Sequence, residues 1–425
     1  METALIKDYL SNYLGSKAPK LVTRELILKE IRGKATIIIG PRRAGKTSLI
    51  LQEIAKYDKH DAVYLDFEDI AIKGISATDA LKVITEIFTE VSGKKAKYVF
   101  LDEIQNVNDW QSLIRTLLDR GYIVYVTGSS SRLLAKEIAT QLRGRGVAYL
   151  LLPFSFSEIL TAINKTELNP NNLSDVGKLK NILKKYMELG GFPEIVLGKE
   201  DKDKLLVEYR ELIFFKDFVE RQNAKSIEVA RYIFNFVTQC FASEMSVRKV
   251  LNSLKSNGIP FGRNTIYDYT EKLQDTMVFF FLDRYSTKIN LRSSWPRKVY
   301  LADNGLAWRL PYDSGRLMEN LVFLQLKRKY KPEPLTELYY YRDAANCEID
   351  FLVKSGPDIK ELLQVTYASD EKDIKDIEVK SLLKIGKELK CKKLIVITWD
   401  YEKYKRISGE SIRFIPLWKW LLNLS

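Results

Sequence analysis

The sequence predicts an α/β protein of several domains: a parallel sheet with flanking helices, then a mainly helical middle, then a second α/β domain. Three observations carry this. Residues 37–50, IIIGPRRAGKTSLI, read as a strand, a glycine-bounded turn and a helix. Short β-branched runs alternate with helical periodicity over the first 150 residues and again near the C-terminal end. A chain of 425 residues is also too long for one ordinary core. The expected divisions are 1–155, 156–230, 231–290 and 291–425.

Composition removes several chemistries. One histidine, His60, excludes histidine-based triads and His-ligated metal centres. Cys240, Cys347 and Cys391 are too scattered for a disulfide framework or a zinc site. No apolar run reaches the roughly 18 residues that span a bilayer, and the start, METALIKDYL, is unlike a secretory leader. A cytoplasmic protein with no membrane partner is expected. The net charge is +13, and residues 231–318 hold an excess of +6. Such an excess fits an anionic partner, nucleic acid first, or else a lysine-rich solvated surface.

The first element is the phosphate loop. GPRRAGKT fits GxxxxGK[ST], which assigns nucleotide binding to Gly40, Pro41, Arg42, Arg43, Ala44, Gly45, Lys46, Thr47 and Ser48. Gly45 lets the backbone curl so that N–H groups face phosphate. Lys46 reaches the β- and γ-phosphates, and Thr47 offers its hydroxyl to Mg2+ at a helix start whose dipole favours anions. A P-loop NTPase sheet binding ATP and Mg2+ is therefore expected.

The second element, YVFLDEIQNV (98–107), is a buried strand ending in acids. Asp102 is placed to hold the Mg2+ shell and Glu103 to polarise the attacking water. AVYLDFED (62–69) and YIVYVTGSSS (122–131) are two further strands. The polar end of the latter, Thr127-Gly128-Ser129-Ser130, lies where a sensor could hydrogen-bond phosphate or water, with Ser129 the candidate; plain turn chemistry also explains that stretch. In QLRGRG, Arg143 and Arg145 are candidate arginine fingers toward a neighbouring subunit, or simple ion-pair formers.

GPRRAGKTSL, FLDEIQNVNDW, TGSSSRLL, LRGRG…LLPFSFSEIL and GGFPE together resemble the archaeal group of AAA+-type ATPases, related to the STAND NTPases. With the loop and the acidic strand, ATP hydrolysis is expected, and a homo-oligomer with it; the resemblance implies a C-terminal extension similar to restriction endonucleases. It also implies that Gly191, Phe192 and Pro193 form a GxP element coupling the nucleotide state to the domains after it. A plain interhelical turn explains those residues as well.

Residues 231–290 read as a winged helix. VRKVLNSL, a glycine- and proline-broken turn, and NTIYDYTEKLQD make a helix-turn-helix, followed by the strand MVFFFLDRYS. The second helix would offer Arg263, Asn264, Thr265, Tyr267 and Lys272 to DNA; such modules also serve as connectors or protein-binding elements.

From about 291, a helix GRLMENLVFLQLKRKY, strands LYYYR, CEIDFLVK and LLQVTYA, a helix and a last strand KKLIVITW follow the order of a restriction-endonuclease-like core. Glu319 and Asp350 fall at two of that core's acidic positions. The third reads Gln364-Val365-Thr366 where an active site needs E-x-K, so a degenerate nuclease is expected. Glu348 should share a face with Asp350, and the placement of Glu361 is open. The resulting expectation is an ATPase acting with DNA. A nucleotide switch on a protein partner and an ATP-gated nuclease are the alternatives.

Overall fold

The structure, a computed structural model, describes residues 3–424 apart from 18, 129–141, 143, 221–223, 225, 257–262, 288–294, 331–334, 408 and the side chain of 263. The chain divides into two compact units, Met1–Pro153 and Phe154–Ser425.

The first unit holds a parallel sheet. Its strands are β1 (Ala35–Ile39), β2 (Ala62–Asp66), β3 (Tyr98–Asp102), β4 (Ile123–Gly128) and β5 (Gly146–Leu150), in the order β2-β3-β4-β1-β5. Helices cover a parallel sheet, so the inner strands are continuously apolar rather than alternating; Ile37, Ile38 and Ile39 are accordingly buried. The helix Lys46–Ile54 lays Leu49, Ile50 and Ile54 against Ile38, Phe100 and Tyr125, the last two rings stacked 4.8 Å apart. Two expectations change. The strand read as 62–69 ends at Asp66, where the chain turns, and GVAYL forms a fifth strand beside β1.

The order inserts β4 between the loop strand and the acidic strand. Ile38 pairs with Thr127 on one side, and Leu101 pairs with Val126 on the other. The polar end of β4 therefore lies between the phosphate loop and Asp102.

The second unit begins with helices Phe156–Ala162, Leu173–Leu189, Pro193–Leu197 and Lys202–Leu212, the last continued by a π-helical stretch Ile213–Glu220. Next come helix Ile227–Gln239, β6 (Ser243–Met245), helices Val247–Ser256 and Arg263–Asp275, β7 (Phe279–Leu282) and β8 (Arg297–Leu301). These strands make an antiparallel sheet in the order β6-β8-β7. Val250, Leu254, Ile266, Tyr269 and Leu273 are buried, as the helical spacing predicts. The strand β8, read as the start of the last domain, thus pairs with β6 and β7.

After helix Ser314–Tyr330, β9 (Thr336–Arg342), β10 (Glu348–Ser355), β11 (Asp358–Val365), helix Asp376–Glu388, β12 (Leu394–Thr398), β13 (Lys403–Ile407) and β14 (Glu410–Pro416) build a mixed sheet ordered β13-β14-β12-β11-β10-β9. Its core is Ile349, Leu352, Leu362, Leu382, Val396 and Phe414, among others.

Candidate functional site

The phosphate loop leaves β1 at Ile39 and enters its helix at Lys46. Gly45 has φ 92° and ψ 31°, the left-handed conformation that glycine adopts without strain. Gly40 is fixed by space: a Cβ there would overlap the Leu151 carbonyl oxygen. Lys46, buried, donates to the carbonyl oxygens of Gly40 at 3.2 Å and Pro41 at 3.1 Å, closing the loop on itself. Thr47 and Arg43 are exposed; Ala44 and Pro41 are buried.

Arg24, which no motif flags, is part of this construction. Its buried guanidinium donates to the Ala44 carbonyl at 2.8 Å and the Leu152 carbonyl at 2.6 Å. It thereby ties the loop to the end of β5. A lone arginine in an irregular segment has no sequence signature, so only coordinates reveal it.

At the end of β3, Asp102 is buried and both its oxygens are engaged. Thr127 donates its hydroxyl to Oδ1, and Tyr64 donates to Oδ2 at 3.1 Å. The same Thr127 oxygen accepts the Glu103 N–H at 3.0 Å. Burial and the Asp102 carboxylate push the Tyr64 hydroxyl far above its ordinary pKa, so it stays a donor. Glu103 sits at φ 51° and ψ 47°, uncommon for a side chain with a Cβ. Strained backbone of this kind gathers at functional sites. Gln105 donates to the Glu103 carboxylate, orienting it.

The oxygen donors Thr47 and Asp102, the loop curled round Lys46 and the glycine cradle at Gly40 fit a nucleotide with Mg2+. Thr127, at the same polar strand end as the candidate sensor Ser129, bridges Asp102 and the Glu103 N–H; Ser129 and Arg143 lie outside the described residues. Arg145 precedes β5 at the end of the sheet where β1 begins, because Gly146 pairs with Ala35. The loop leaves β1 at the opposite end, roughly 15 Å away at 3.3 Å per residue. There Arg145 is ion-paired to Asp119.

In the second unit the GxP residues have a defined partner. Asp303 accepts the Gly191 N–H at 2.7 Å and the Gly305 N–H at 2.8 Å. Asn304 donates to the Met187 and Leu317 carbonyls, and Asn320 donates to Asn304 Oδ1 and the Leu301 carbonyl. Phe192 is fully buried edge-on to Tyr209.

On the candidate recognition helix, Asn264 and Tyr267 are exposed and Thr265 is half-buried. Lys272 is paired with Asp268 at 2.9 Å; nothing is described of the Arg263 side chain. Glu319, Glu348 and Asp350 all pair with one cation, Lys298. Gln364 is buried one residue from Val365, whose N–H donates to Asp350 at 2.9 Å. Glu361 is elsewhere: it accepts from Tyr330 at 2.5 Å and pairs with Lys393. Three residues from Gln364, it falls on the other face of β11.

Over 97% of this chain and 94% of its own length, the "uncharacterized protein MJ1544" of Methanocaldococcus jannaschii is 36% identical. The chain belongs to the MJ1544 family. An uncharacterized protein of Haemophilus influenzae is 27% identical over 94% of this chain and 98% of its own. Within this MJ1544-family chain, residues 32–160 match the AAA domain. Residues 180–315 and 314–420 match two domains of unknown function, DUF8612 and DUF4143. The first unit is thus a P-loop ATPase domain of the AAA kind. Cdc6p from Pyrobaculum aerophilum, a solved structure, is similar over 58% of this chain and 80% of that one, at 11% identity and a TM-score of 0.25. No described helix is long and apolar enough to cross a membrane.

Proposed function

We propose that this chain is an ATP-hydrolysing, Mg2+-dependent AAA-type ATPase whose turnover is coupled to DNA binding or remodelling by its second unit. The observation that carries the reading is the Thr127 hydroxyl, which joins Asp102 and the Glu103 backbone one strand from the phosphate loop. Thr47 and Asp102 would hold Mg2+, which when bound neutralises phosphate charge. Lys46 would leave its own loop carbonyls for the β- and γ-phosphates. Glu103 would orient a water and take its proton as the water oxygen bonds to the γ-phosphorus and the bond to ADP breaks. Thr127 would keep Glu103 aimed. Arg145, at the far end of the sheet, would act only toward a neighbouring copy in a homo-oligomer.

The order helix, strand, helix, helix, strand, strand over Ile227–Leu301 supports the winged-helix reading, and the positive excess of this region favours an anionic partner. The Lys272–Asp268 pair favours a second reading, a nucleotide switch on a protein partner, because a cation committed to an acid is less free for phosphate. The C-terminal sheet with Gln364 in the third acidic position supports a nuclease-like unit that does not cleave.

The test is steady-state ATP hydrolysis with and without single-stranded, double-stranded and branched DNA at two salt concentrations, with Glu103→Gln alongside. Stimulation by one DNA form, lost in the variant, upholds the proposal. Hydrolysis indifferent to every DNA transfers the assignment to the protein-directed switch.

A further inference from the structure

Lys298 stands at the centre of three carboxylates contributed by two elements of the second unit. Its Nζ lies 3.0 Å from Glu319 Oε1, 2.7 Å from Glu348 Oε1 and 2.8 Å from Asp350 Oδ1. An ammonium has three donors and no acceptor, so this shell uses its full capacity. The carboxylates are held in turn: Tyr300 donates to Glu319 at 2.6 Å and the Val365 N–H to Asp350 at 2.9 Å. Burial alone would pull Lys298 toward neutrality; Asp350, Glu319 and Glu348 overcome it and keep the group charged.

These are the acids that a nuclease-like fold would turn toward a divalent ion, and the geometry does not suit one. The oxygens sit 2.7–3.0 Å from the occupied centre, whereas Mg2+ needs them at about 2.0–2.1 Å. The shell is sized for nitrogen. Among the described residues no group of acids, histidines or cysteines is arranged to hold a metal. Lys298 comes from β8, outside the six-stranded sheet, so it is a cation brought in from a neighbouring element rather than a strand neighbour of Asp350.

We infer that Lys298 is the resident cation of this pocket, taking the place of a divalent ion, and that removing its ammonium opens a metal site on Glu319, Glu348 and Asp350. Gln364, whose Oε1 is buried without a donor, precedes Val365, whose N–H donates to Asp350. The inference rests on the reading of this unit as non-cleaving. Plasmid cleavage by the wild type would defeat that reading, whereas an Asp350-dependent metal site without cleavage would defeat the inference alone.

The experiment titrates Mn2+ into the nucleotide-free full chain, following bound ion by electron paramagnetic resonance and Tm in parallel. Wild type and Asp350→Asn should bind the same number of ions, with no Tm difference caused by Mn2+. Lys298→Gln should be less stable, should gain one ion per chain, and should recover roughly 5 °C of Tm at saturation. Lys298→Gln/Asp350→Asn should lose that gain. An Asp350-dependent ion in the wild type overturns the inference, as does a folded Lys298→Gln that gains none. Should Lys298→Gln not fold, the wild type against Asp350→Asn decides whether Lys298 is the resident cation: no difference in bound Mn2+ upholds that, and one ion lost overturns the inference.

Discussion

Asp303 accepts the Gly191 N–H at 2.7 Å and so locks a glycine turn between two helices to the chain just after β8. The two glycines leave no slack. A Cβ on Gly190 would overlap the Asp303 carboxylate, and one on Gly191 would overlap the Phe154 carbonyl oxygen. Gly190 also has φ 78°, strained for any other residue. Motifs separated by more than a hundred positions in sequence thus form one buried joint.

That joint should make stability depend on pH. Burial pushes the Asp303 carboxyl up from 3.8 to about 7, against the opposing pull of two backbone N–H groups and Arg328. Between those values the native state holds a proton that the unfolded state has lost, so stability is full below about pH 4 and falls as pH rises through about 7. The loss should be on the order of a few kcal/mol. Urea midpoints at pH 5.5 and pH 8 should therefore differ, and Asp303→Asn should shrink the difference while lowering stability at both. An unchanged pH slope in the variant would remove Asp303 as its source.

The sheet and the phosphate loop were legible because their residues obey local rules: β-branched runs for buried strands, and glycines where backbone must approach phosphate. Glu319 and Asp350 were picked out only because the order of helix and strands resembles a restriction-endonuclease-like core. The features that escaped depended on distant contacts. GVAYL is half-buried throughout and comes directly after the glycine-broken LRGRG, so it carries little strand signal of its own. KYKRI is a polar edge strand, where exposure removes the alternation that marks a half-buried one. Lys298 looks like one more basic residue in a lysine-rich chain; only β8 pairing with β7 and β6 brings it to Glu319. Thr127 reads in sequence only as part of a polar strand end; its bonds to Asp102 and the Glu103 N–H come from the register of β4 beside β3.

Thr127→Val should separate catalysis from binding. It leaves the Glu103 N–H without its Thr127 acceptor and Asp102 Oδ1 without the Thr127 donor, while Tyr64 still donates to Oδ2 and the shape of the strand end is kept. We expect kcat for ATP to fall by roughly 10- to 100-fold, with nucleotide affinity changed little and stability lowered by about 1–3 kcal/mol. Thr127→Ser should restore most of the rate. A loss of affinity as large as the loss of kcat would assign Thr127 to binding instead.

Arg24→Ala should act in the other direction. The phosphate loop loses the guanidinium that holds the Ala44 carbonyl against β5. KM for ATP should rise about 10-fold with a smaller change in kcat, the pattern of lost ground-state organisation. Arg24→Lys should rescue poorly, because one ammonium lacks the planar fork that serves two carbonyls at once. Equal activity of the alanine variant and wild type would leave Arg24 with no part in the site.

Asp268→Ala tests the DNA assignment by asking for a gain, which misfolding cannot imitate. Asp268 is exposed and neutralises Lys272 at 2.9 Å, one turn along the candidate recognition helix. A surface pair of this kind contributes well under about 1 kcal/mol to stability, so its loss should leave the fold intact. If the helix faces DNA, releasing Lys272 adds a phosphate contact and removes a repelled acid. Affinity should then rise several-fold at moderate salt, and the dependence of log K on log salt should steepen by about 1. Lys272→Glu should shift both in the opposite sense. Fluorescence anisotropy with a labelled duplex reads both quantities in one titration series. Unchanged affinity in both variants would place this helix away from nucleic acid and favour a protein as its partner.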